Sequence, residues 1–164
     1  GVPASLCGVF RAGEASYMSH EQAMTQLLIG GISHLWIKPW STNEDSAGVA
    51  QVPAALARTT QLIQLAVAKG VVPIIIRPWA GQTTTTASGL LVQAYCDNAA
   101  ASGVRVFDAR LIVADAVGTD TIKSEYLTRT AGGAAVDLIH LNDAGHEAIA
   151  AYALSKIGGL AMLA

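Results

Sequence analysis

Residues 71–77 read Val-Val-Pro-Ile-Ile-Ile-Arg. They constrain this chain more than any other stretch. The run is apolar and β-branched, too short for a helix, and stopped by Arg77 and Pro78. A segment like this is stable as a strand buried on both faces, which requires layers above and below it. Helical patterns flank it. Residues 53–69 carry Leu56, Thr59, Ile63, Ala66 and Val67 at helical spacing, and Lys69-Gly70 marks the end. Residues 86–102 form a second helical stretch that ends at Gly103.

The alternation continues on either side. Residues 4–10 and 34–38 read as strands, with a helical stretch opening at Ser19 between them. Residues 104–108 read as another strand. A less regular segment covers 118–136, and residues 142–157 form the last helix. Strands alternating with helices imply parallel strands joined by helical crossovers. The expected fold is therefore α/β: a flavodoxin-like three-layer α/β/α sandwich with a parallel sheet. At 164 residues, the whole chain (1–164) fits one domain.

Composition narrows the function classes. Charged residues are 13% of the chain and the formal net charge is -2, with no run of like charges. That excludes an electrostatic nucleic-acid binder. Mean hydropathy is +0.42, yet no apolar stretch approaches the ~20 residues of a spanning helix, so no membrane span is expected. The two cysteines, Cys7 and Cys96, suit no common metal motif and read as buried thiols not bonded to each other. No His or Cys pair has metal spacing, so no metal is expected. Glu14 and Glu44 do not make a convincing glycosidase pair. His20, His34 and His146 read as structural or solvated residues. Trp40 and Trp79, each just past a strand end, suit a cleft wall and rim packing equally.

The chemistry concentrates near the C-terminus. Asp137 and His140 stand three apart on a non-helical stretch entering the last helix. A carboxylate beside an imidazole fixes its tautomer and stabilises the imidazolium formed when the ring accepts a proton. Leu141 follows, then Asn142-Asp-Ala-Gly-His, with Asn142 as a helix N-cap. Asn43 lies in the loop after the 34–38 strand, at the edge where open parallel sheets hold ligands. Gly13 lies just past the 4–10 strand.

The segment Asp137-Leu-Ile-His140-Leu-Asn-Asp-Ala-Gly-His resembles the last motif of the SGNH (GDSL-type) hydrolases. The resemblance implies that His140 and Asp137 belong to a Ser-His-Asp triad. It implies that the Asn43 amide and the Gly13 N–H form the oxyanion hole. Around Asn43 the chain departs from the family pattern, with Ser41 in place of Gly and Glu44 in place of Asp. The family's Gly-Asp-Ser is absent from the sequence, and neither Ser5 nor Ser16 sits on a strand-to-helix turn. The nucleophile is therefore expected outside this chain, in a missing first strand carried by an N-terminal fragment or a second chain. The start, Gly1-Val-Pro with no initiator Met and no basic leader, reads as processed or truncated.

The implied activity is serine-type hydrolysis of a carboxylic or acetyl ester, which needs no cofactor, with a small ester or acylated carbohydrate as substrate. The alternative is a non-catalytic carbohydrate-binding or structural module of a larger assembly. Compartment is not encoded in these features.

Overall fold

The structure is a computed structural model. It describes residues 33–39, 48–79, 86–116, 119, 121–130 and 132–157. The expected strand at 4–10, the helix from Ser19, Gly13, Asn43, Trp40 and Cys7 lie outside the described residues.

Three strands form a parallel sheet: β1 (His34–Ile37), β2 (Val72–Arg77) and β3 (Arg105–Asp108), in the order β1-β2-β3. Helix α1 (Val52–Ala68) connects β1 to β2, and α2 (Ala87–Ala101) connects β2 to β3. A short helix α3 (Arg110–Val113) follows β3. The strands β4 (Leu127–Arg129) and β5 (Ala135–Leu141) pair antiparallel, and α4 (Asp143–Ile157) follows. This is the expected α/β fold.

Alternation along β2 assigns the layers. Ile75 is fully buried in a cluster with Val52 and Ala55 of α1 and Val92 and Cys96 of α2. Ile74 points the other way, into a cluster with Phe107 of β3, where Ile149, Tyr152 and Ala153 of α4 pack. Helices therefore cover both faces of the sheet, α1 and α2 on one and α4 on the other. Pro73 sits in the middle strand without breaking it. Val72 N–H donates toward β1, to Ser33 O at 2.9 Å. Alternation then turns the Pro73 nitrogen toward β3, whose ladder begins only at Ile74, so no ladder bond is lost.

Both crossovers end by one device. After α1, Gly70 adopts φ +73 while Val71 N–H reaches Ala66 O at 2.9 Å and Gly70 N–H reaches Val67 O at 3.0 Å. After α2, Gly103 adopts φ +86 while Val104 N–H reaches Ala99 O and Gly103 N–H reaches Ala100 O, each at 3.0 Å. These are Schellman closures, and the left-handed residue favours glycine. At the start of α2, Thr86 is the N-cap, its hydroxyl accepting from Gly89 N–H at 3.0 Å.

Two details differ from the sequence expectation. Val67 lies outside the buried stripe of α1 and is 61% exposed, whereas Thr59 and Ala66 are buried. The segment read as irregular over 118–136 contains β4 and the start of β5, and their pairing is antiparallel. Thr128 and Arg129 face water, so β4 carries no buried apolar alternation for a sequence reading to detect.

Candidate active site

The sheet's C-terminal edge is built from Lys38 after β1, Pro78 and Trp79 after β2, and Asp108 with α3 after β3. Trp79 touches two apolar clusters. One holds Ile74 and Phe107 of the sheet. The other holds Val113, Ile122 and Leu141, with Tyr126 and Leu127 packed against it. Leu141 follows His140 directly. Burial of Leu141 in the cluster reached by Trp79 and Val113 therefore places the end of β5 over the C-terminal edge of the parallel sheet. Open α/β sheets hold their ligands at that edge.

Both Asp137 and His140 are in β5. In an unbroken strand, residues three apart fall on opposite faces. This strand is not unbroken. Leu127 pairs with Leu141, and its neighbour Thr128 pairs with Asp137, so Leu138, Ile139 and His140 stand between two successive rungs of β4. A further irregularity lies between Thr128 and Arg129, where Asp137 gives way to Ala135. Bulges re-aim side chains and recur beside active sites. Here three residues, His140 among them, stand outside the β4 register. His140 is exposed.

The helix cap belongs to neither residue. Asn142 Oδ1 accepts from Gly145 N–H at 3.0 Å, and Asn142 Nδ2 donates to Glu125 O at 2.8 Å and Leu127 O at 3.1 Å. Asn142 N–H also donates to Tyr126 O at 2.9 Å. One side chain thus closes the first turn of α4 and ties down the 3-10 turn Ser124–Tyr126 that leads into β4.

The sequence reading missed a charged network at the same edge. Arg77, only 7% exposed at the end of β2, donates to Asp97 Oδ1 at 2.5 Å and to Gln93 Oε1 at 3.0 Å, both on α2. Its Nε lies 3.4 Å from Asp108 Oδ2. Asp108 in turn takes two bonds from Arg110, at 2.8 and 2.6 Å. The hydrogen bond to Asp108 holds the Arg110 pKa above its ordinary value. Beneath this network, burial pushes the Cys96 thiol up to about 11, with Arg77 pulling the other way. The signal in the sequence was a lone arginine closing an otherwise apolar buried strand.

Trp79 is half-buried, with Lys38 Nζ 4.3 Å above its ring. Its indole Nε1 is buried without a hydrogen-bond partner among the described residues. Ser33 Oγ is bonded to His34 Nδ1 at 2.9 Å, and His146 is exposed on α4. Among the described residues no group of three or more His, Cys, Asp or Glu side chains is placed to hold a metal, and no helix is long and apolar enough to cross a membrane.

No protein-family model and no curated protein matches the chain. A solved structure does: a GDSL-like lipase from Bacteroides thetaiotaomicron, with a TM-score of 0.57 at 13% identity, over 87% of this chain and 72% of that one. At that identity the likeness establishes a GDSL-like fold.

Proposed function

We propose that this chain carries the acid–base half of a serine-type ester hydrolase of the SGNH kind, acting on a small carboxylic ester or an acylated carbohydrate. The observation that supports the reading is the position of His140 between two successive β4 rungs, next to Leu141, whose apolar cluster reaches Trp79 at the C-terminal edge of the sheet. The GDSL-like fold supports it. In this reading His140 takes the proton from a serine hydroxyl as its oxygen attacks the ester carbonyl. It returns that proton to the leaving alcohol. Water then cleaves the acyl-enzyme by the same steps, releasing the acid and the free serine. Asp137 orients the imidazole and balances its charge. The Asn43 amide and the Gly13 N–H hold the oxyanion. The serine comes from a segment outside these 164 residues.

The test is hydrolysis of 4-nitrophenyl acetate by the chain alone and with the segment encoded upstream of Gly1 restored. Labelling with a fluorophosphonate identifies the serine. Activity and labelling are expected only with the restored segment, and His140→Ala is expected to abolish hydrolysis. Restored protein that neither hydrolyses nor labels overturns the reading. It leaves the second one, a carbohydrate-binding or structural module.

A further inference from the structure

A concavity lies on the α4 face of the sheet. Its volume is about 280 Å3, just under the ~300–1,000 Å3 typical of small-molecule sites. Trp36, Ile74, Phe107 and Tyr152 supply apolar wall, one residue from each strand and one from the helix. The walls are braced by their own ring contacts. Trp36 meets Phe107 edge-on at 5.3 Å, and Phe107 meets Tyr152 at 5.1 Å. Lys156 lies near the C-terminal end of α4. At 1.5 Å per residue, it sits roughly 20 Å along the axis from the turn that follows His140. The Lys156 end of the concavity is therefore distant from the β5 bulge.

Its charge is lopsided. Arg105 and Lys156 both line it, and both are exposed. The lining carboxylate, Asp108, is committed to Arg110 by two bonds and to Arg77 at 3.4 Å. It does not neutralise the two cations. Aromatic walls beneath two cations suit a ligand with an apolar body and one anionic end.

We propose that this concavity is a binding site for a small apolar monocarboxylate. The apolar body lies against Trp36 and Phe107, and the carboxylate meets Arg105 and Lys156 at the rim. The site is independent of the ester-hydrolase reading and stands or falls without it.

The probe is hexanoate, with hexan-1-ol as its uncharged counterpart, followed through the indole N–H resonance of Trp36, assigned with Trp36→Phe. Saturable binding is expected in the low-millimolar range or tighter, the scale for a ligand of so few atoms. Lys156→Met and Arg105→Gln, both surface changes, are each expected to weaken it about five- to tenfold, the size of a partly solvated charge-assisted contact. Hexan-1-ol should bind more weakly than hexanoate by a similar factor. His140→Ala should leave hexanoate binding unchanged. Equal binding of the alcohol, indifference to both rim variants, loss with His140→Ala, or no saturable shift of Trp36 would each overturn the proposal.

Discussion

Asn142 Oδ1 accepts the Gly145 N–H at 3.0 Å, and this contact fixes where α4 begins. It also separates the cap residues from the rest of one short motif. Asn142 and Gly145 have packing reasons to be what they are. The cap requires neither Asp137 nor His140.

The cap predicts a measurable cost. Asn142→Ala removes the N-cap acceptor, worth about 1 kcal/mol. It also removes the donor to Glu125 O and Leu127 O, a further ~1–2 kcal/mol. Urea denaturation should show a loss of about 2–3 kcal/mol. Asn142→Asp keeps the acceptor but cannot donate, so it should recover only the capping part. Equal losses in the two variants would mean that the clamp on the turn contributes nothing.

Gly145 predicts a reversal of helix propensity. Alanine inside a helix normally gains ~1 kcal/mol over glycine, and Gly145 is the third residue of α4. A Cβ at 145 would stand 3.0 Å from Leu141 Cβ and 3.1 Å from Tyr126 Cβ, atoms fixed to the backbone that cannot swing aside. Gly145→Ala should therefore destabilise, by about 1–3 kcal/mol as an overpacked contact. A stabilised variant would show that α4 is free to shift away from β5.

The charged network predicts an asymmetry between two aspartates that both face Arg77. The Asp97 side chain is 69% exposed, and that of Asp108 is 22% exposed and held by Arg110 as well. Asp97→Asn should cost under ~1 kcal/mol, as exposed pairs do. Asp108→Asn leaves two largely buried guanidiniums without their shared carboxylate and should cost about 3 kcal/mol or more. Thermal unfolding of the two variants side by side checks the order.

For the proposed hydrolase, Asp137→Asn in the protein with its serine segment restored should lower kcat by about 10⁴. Stability should change little by comparison. His140→Ala should fall as far, and the double variant little further, because the residues act as a unit. Additive losses would show that the two do not work together.

What was legible in the sequence follows from what each element depends on. Residues 71–77 and the two crossover helices carry their own signals. β-branched apolar residues mark the strand, Thr86 a start, and Gly70 and Gly103 the ends. The Asn142 cap was equally local. β4 was not legible because its three residues face mostly outward and are held by a side chain far along the chain, through Asn142 Nδ2 to Leu127 O. Val67 was misplaced because the apolar stripe of α1 is narrow, and a residue at its margin fits the helical period while facing water. The Asp137–His140 spacing gave no geometry. Only the β4 register reveals the bulge between them.

Cys96 gives the last prediction, a stability loss at high pH with a definite sign. Burial pushes its thiol from an ordinary 9.0 to about 11 in the folded chain. The folded state therefore binds this proton more tightly than the unfolded state. Below pH 9 the thiol is protonated in both states and its contribution is fully present. Between pH 9 and 11 the unfolded chain ionises first, and stability falls as pH rises. The whole step is on the order of 2–3 kcal/mol. Cys96→Val removes the titrating group and roughly keeps the packing against Val52, Ile75 and Val92. Denaturant midpoints for the parent chain should decline from pH 9 to 11 more steeply than those of Cys96→Val. The native thiol should also react with a disulfide reagent at pH 8 only as fast as the chain opens. Parallel declines in the two proteins, or rapid reaction of the native thiol, would mean that Cys96 is not sealed in the core between α1, α2 and the sheet.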